Sequence, residues 1–165
     1  MPVVSNTSPI LNLAIIGKLE LLRNQCQQIL IPPAVLCELR VNEDLPGAIV
    51  IREALSAGWV QIMEPENQFL TKALQRYLDV GESEAISLSL QVGASLLLLD
   101  EKDARSAAKD FGLRVAGVLG VLCRAKCQGN KISLKETMDT LRAICGFRID
   151  DKLYTEIISK YETPG

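Results

Sequence analysis

The run SLLLLD, from Ser95 to Asp100, constrains the fold more than any other stretch. Four consecutive leucines leave no polar position in the alternation, so a strand here is apolar on both faces. Such a strand belongs in the middle of a parallel sheet, with helices packed above and below it. The run ends in a carboxylate. Parallel strands bring their C-terminal ends to one edge of the sheet, where ligands gather at the crevice marking a reversal of strand order. Asp100 is therefore a candidate functional residue, and a role as N-cap of the following helix is equally open to it.

The remaining segments alternate to match. Val3–Ser5 reads as a short buried strand. SPILNLAIIGKLELL follows as a helix, in which Ser8 can cap, Pro9 suits the first helical position and Gly17 interrupts an otherwise continuous apolar face. QILIPP (Gln28 to Pro33) is a strand stopped by two prolines, and PAVLCELR begins a helix carrying Glu38. A helix over Ala48 to Ser56 follows a Pro-Gly break and closes at Gly58. WVQIM alternates as an edge strand does, and QFLTKALQRYL is amphipathic at helical period. GESEAISLSLQVG fits either period; its acid-rich start favours a helix. EKDARSAAKDFG is a helix, LRVAG a short strand, and GVLGVLCRAKCQG and SLKETMDTLRAICG two more helices. FRID is a link, and Tyr154, Ile157, Ile158 and Tyr161 repeat at helical spacing. The expectation is a three-layer α/β fold, a central, mainly parallel sheet flanked by helices, in a single domain over 1–165. A chain of 165 residues supplies one sizeable core and not two ordinary ones.

The sequence contains no histidine. Ser-His-Asp triads, Cys-His dyads and H-E-x-x-H zinc hydrolysis are thereby excluded. Chemistry must come from carboxylates, Lys, Tyr, Cys or a bound metal. Five cysteines, an odd number without a C-x-x-C pair, are expected to be reduced and mostly buried, as in a cytoplasmic protein. GVLGVL (Gly117 to Leu122) lacks the G-K-[ST] ending of a phosphate loop, so close helix packing accounts for it. No secretory signal and no membrane-length apolar run is visible. Net charge is −2 but unevenly spread. Pro33 to Glu84 holds nine Asp or Glu against four Lys or Arg, whereas Lys102 to Lys131 holds seven cations against two Asp. A basic side of that kind can steer a phosphate backbone even on an acidic protein; a solvated charged surface is the plainer account. A mean hydropathy of +0.17 fits a well-filled core, a self-association surface, or both.

Five residues are expected to meet at one sheet edge. Asn6 ends the first strand, and Asp100 the leucine strand. Asp103 lies one helical turn beyond. Glu82 opens the helix that feeds the leucine strand, and Glu38 sits in the second turn of the helix after ILIPP. Converging carboxylates raise one another's pKa or require a cation, and hard divalent ions such as Mg²⁺ and Mn²⁺ take oxygen ligands. Each residue also has an ordinary alternative: an Asx-turn for Asn6, helix-dipole roles for Glu82 and Asp103, simple exposure for Glu38.

At these residues the sequence resembles the PIN-domain superfamily of metal-dependent ribonucleases, which includes VapC-type toxins, and is most similar to prokaryotic PIN-like proteins predicted to bind nucleic acid. The matching segments run from VVSNTSPILNLAIIGKLELL to GFRI, with LDVGESEAI and LLLLDEKDAR the most specific. Glu82 lies eleven residues before Gly93 and Asp100 seven after it, the spacing of the PIN pattern. The resemblance implies Mg²⁺ or Mn²⁺ held by Asn6, Glu82, Asp100 and Asp103. It also implies catalysis by Glu38, Glu82, Asp100 and Asp103, with RNA as substrate, a homodimer and, for a toxin, an antitoxin partner. The departure is Asn6, an amide where relatives carry an acid; Glu84 is a candidate substitute. Lys102, Arg105, Lys109 and Arg124 are candidate contacts for the RNA backbone.

Overall fold

The computed structural model describes residues 1–162. Its strands are β1 (Val3–Ser5), β2 (Ile29–Ile31), β3 (Val60–Ile62), β4 (Leu96–Leu98) and β5 (Val115–Ala116). They form one sheet in the order β3-β2-β1-β4-β5, every neighbouring pair parallel. The helices are α1 (Thr7–Ile15), α2 (Glu20–Cys26), α3 (Pro33–Leu39), α4 (Ala48–Ser56), α5 (Gln68–Leu74), α6 (Val80–Val92), α7 (Lys102–Asp110), α8 (Val118–Cys127), α9 (Leu134–Cys145) and α10 (Asp151–Tyr161). No described helix is long and apolar enough to cross a membrane.

The leucine strand does what its composition demands. Leu97 and Leu99 enter one core with Val4 and Leu30, against α6 and α7. Leu98 enters the other with Val3, Ile29 and Ile31, against α1 to α4 and α8 to α10. Side chains alternate across a strand, so the unbroken leucine run fills both layers. The sheet grows outward from β1 through β2 to β3, then returns through α5 and α6 to place β4 on the other side of β1. Strand order therefore reverses between β1 and β4. Their carboxyl ends are neighbours in register, Ser5 opposite Leu98, and the amide of Asn6 donates to the Leu98 carbonyl at 2.9 Å.

Three expectations change. The first helix is two helices, because Gly17 takes a positive φ of 71° that turns the chain between α1 and α2. Ser8 is not the cap of α1: Asn6 holds that position, Thr7 and Ser8 open the helix, and Pro9 is the third residue, where a missing N–H still costs nothing. The cysteines are free, but none is fully buried: Cys37 and Cys127 are exposed, and Cys26, Cys123 and Cys145 are half-buried.

Candidate metal centre and nucleic-acid face

Asn6 is the pivot of the crevice. It stands at the N-cap of α1 with extended backbone, yet its side chain caps nothing. The residue is 5% exposed, and its Oδ1 is buried without a hydrogen-bond partner. An unpaired buried acceptor costs about 1–3 kcal/mol, so this oxygen is free for a ligand the protein alone does not supply.

The next two residues hold carboxylates. The Ser8 hydroxyl donates to Asp100 Oδ2 at 2.7 Å and itself accepts from Asn12 Nδ2 at 3.0 Å. The other Asp100 oxygen accepts the Val118 amide at 2.8 Å. Asp100 thus serves the N-terminus of α8 and not that of its own helix α7, whose cap position is Glu101. Burial raises the Asp100 pKa; the Val118 amide and the Ser8 hydroxyl oppose that rise. Thr7 donates its hydroxyl to Glu38 Oε2. Glu38 in turn lies against the first turn of α6, where a Cβ on Gly81 would come within 2.6 Å of Oε1. A Cβ on Gly117 would come within 2.4 Å of Asp100 Oδ1. Both glycines leave the space that a carboxylate occupies.

Glu82 is 7% exposed and closes a capping box with Asp79: its amide donates to Asp79 Oδ1 at 2.7 Å, and its carboxylate accepts the Asp79 amide at 3.2 Å. Burial first, then the Asp79 and Glu101 charges, raise its pKa to about 7. The sequence pattern alone does not single out Asp79 and Glu101. Glu101 repels both Glu82 and Asp100, and its position directly after Asp100 was the available signal. Glu84 accepts the Ala34 amide at 2.9 Å and so caps α3 from α6. Asp103 sits exposed in the first turn of α7.

The acids are accordingly held by separate partners, Asp100 by Ser8, Glu38 by Thr7 and Glu82 by Asp79, and the Glu101 charge reaches both Asp100 and Glu82. Among the described residues no three acidic or cysteine side chains group closely enough to hold an ion between them. The donor set is nonetheless all oxygen, with one buried amide oxygen unclaimed and two carboxylates held against their charge. That chemistry fits a hard divalent cation.

Lys102, Arg105 and Lys109 line a cavity of about 350 Å³ together with Asp100 and Ser106. Arg124 lies elsewhere: it is exposed on α8, where its charge reaches Cys26 of α2.

No curated protein matches the chain at a significant level. Among solved structures, a PilT N-terminus domain protein from the hyperthermophilic archaeon Sulfolobus solfataricus P2 superposes with a TM-score of 0.51 at 22% identity, covering 76% of this chain and 93% of that one. The likeness extends to the fold. The sequence itself matches the PIN domain over residues 2–163. With that match spanning nearly its whole length, the chain belongs to the PIN-domain family, generally nucleases that use divalent metals, and its function concerns nucleic acid.

Proposed function

We propose that the protein is a metal-dependent endoribonuclease that hydrolyses RNA phosphodiester bonds. The observation that carries this reading is the buried, unpartnered Oδ1 of Asn6, set where the strand order reverses and followed in the chain by Thr7 and Ser8, which hold Glu38 and Asp100. Asn6, Glu82 and Asp100 would hold Mg²⁺ or Mn²⁺, with Glu38 and the exposed Asp103 assisting. The bound ion would supply an activated water and neutralise charge on the phosphoryl group.

The chain's own residues do the positioning. Ser8 and the Val118 amide fix both oxygens of Asp100. Thr7 fixes Glu38, and Gly81 gives that carboxylate room. Burial and the Asp79 and Glu101 charges raise the Glu82 pKa to about 7, and a bound cation would favour its ionised form. Lys102, Arg105 and Lys109 meet the phosphate backbone, with Arg124 farther along α8. A homodimer, and for a toxin role an antitoxin partner, accompany this reading.

The test is cleavage of single-stranded RNA by purified protein with Mn²⁺. Activity should vanish in EDTA and in Asp100→Asn; cleavage that survives Asp100→Asn comes from elsewhere. A second reading, a PIN-like module that binds RNA or protein without cutting, draws on the amide at Asn6 and the absence of a three-acid group among the described residues. Asn6→Asp separates the two. Cleavage that appears only in the variant identifies a binding module; cleavage already present in the native protein identifies the nuclease.

A further inference from the structure

We propose that the cavity between α7, α8 and α10 accepts an unstacked base of single-stranded RNA next to the bond that is cut. The substrate class rests on the nuclease reading above; the cavity adds which strand form and which part of the nucleotide is recognised.

The cavity measures about 590 Å³, within the range of about 300–1,000 Å³ for small-ligand sites. Ala116, Gly117 and Gly120 line it with little bulk, and Phe147, Leu153 and Tyr161 add apolar and aromatic surface. It begins at Asp100 and Arg105, which also line the 350 Å³ cavity of Lys102, Ser106 and Lys109. Two hollows of opposite character thus abut at one carboxylate. One is cationic with a hydroxyl, suited to phosphates. The other is aromatic and aliphatic, suited to the face of a base. An occupant with its phosphodiester at Asp100 spans both.

Charge points the same way. Arg105, Arg148 and Lys160 border the larger cavity, against Asp100 and Glu156. None of these three cations forms a salt bridge among the described residues. Lys160 instead lies 5.3 Å above the Tyr161 ring, so ammonium and aromatic face are presented together. A cationic groove interleaved with aromatics is the form that binds single strands, where stacking serves any base. A duplex cannot use it without unpairing and unstacking a base. A peptide would have no need of the cation-lined hollow that shares Asp100.

The experiment measures binding in EDTA and cleavage with Mn²⁺, using a short labelled single-stranded RNA, its duplex, and an abasic strand of the same length. The native protein should bind the normal strand about tenfold more tightly than the abasic one, and the duplex weakly. Tyr161→Ala should erase the preference for bases while keeping affinity for the abasic strand, and Tyr161→Phe should retain it. Arg148→Glu with Lys160→Glu, both exposed, should weaken single-strand binding about tenfold. Equal native binding to normal and abasic strands overturns the proposal, as does native-like binding by the double variant; either result is expected if a protein segment fills the cavity. Cleavage unaffected by these variants leaves the nuclease and removes the base site. Base-selective binding without any cleavage removes the nuclease and leaves the base site.

Discussion

Glu82 shows how one side chain carries two roles whose demands conflict. As the last member of the capping box it belongs at the start of α6, which favours a carboxylate. Burial and the neighbouring Asp79 and Glu101 charges nevertheless lift its pKa from 4.5 to about 7. Between those values the folded protein keeps a proton that the unfolded chain has lost. The stabilisation is therefore full below about pH 4.5 and is lost as pH rises through 7. Solvent screening reduces the effect to about 1–2 kcal/mol. In Glu82→Gln the amide can still accept the Asp79 N–H and cannot ionise. Thermal unfolding in EDTA should show the native protein losing roughly 3–6 °C more than the variant between pH 5 and pH 8. Parallel curves would mean that Glu82 is not held neutral. The sequence showed Glu82 as an acid at a helix start, but not its neighbours across space, so the conflict was not legible. Ser8 has the same history. Its spacing before an apolar run is that of an N-cap, and only the fold reveals Asp100, ninety-two positions away, as its partner. Ser8→Ala should leave Asp100 held by the Val118 amide alone, and Mn²⁺-dependent cleavage should fall about tenfold or more with the melting temperature nearly unchanged.

Elements were legible wherever composition forced a single answer. β4 has leucines on both faces, so its place inside the sheet, between β1 and β5, and its double burial followed directly. Leu97 is fully buried in the layer of α6 and α7. Leu97→Ala should lower unfolding free energy by about 2–5 kcal/mol in urea titration, and less than 1 kcal/mol would mean that this layer collapses around the gap. The split at Gly17 was less legible, because the apolar face continues across it and only the backbone turns. Contacts between helices were not legible at all. Gly81 looks like a weak point in α6, yet it is where α3 approaches and Glu38 needs the space of a side chain. Gly81→Ala tests which role dominates. Helix propensity gains about 1 kcal/mol, while Glu38 must move away from its Thr7 contact. Stability should hold or rise slightly while cleavage falls; retained cleavage with retained stability would show that the Glu38 position is immaterial.

For the whole molecule, the decisive property is the separation of charge rather than its sum. A net charge of −2 argues against general affinity for a polyanion, and the acidic stretch from Pro33 to Glu84 contributes Glu38, Asp79 and Glu82 to the crevice. The chain then reverses sign after β4. Folding puts Lys102, Arg105 and Lys109 along one cavity at Asp100, and Arg148 and Lys160, again with Arg105, along the other. The first three lie in a visibly basic segment; the last two come from a distant stretch of mixed charge, and only the packing of α10 against α8 brings them alongside. Carboxylates at the centre repel an RNA strand, and five flanking cations offset that repulsion along its path. Binding should therefore be strongly salt-dependent for so acidic a protein. If three to five phosphates are neutralised, the slope of log affinity against log salt for a single strand should be about −2 to −3.5. Removing Arg148 and Lys160 together should make it shallower by about 1.4. Divalent cation should enter with the opposite sign at low concentration, tightening binding by neutralising Asp100 and Glu82 before it competes for phosphates. Fluorescence anisotropy across a salt series, with and without Ca²⁺ as a binding probe, measures both. A flat salt response would mean that the cationic flanks are solvated surface and that the acidic crevice meets some other kind of ligand.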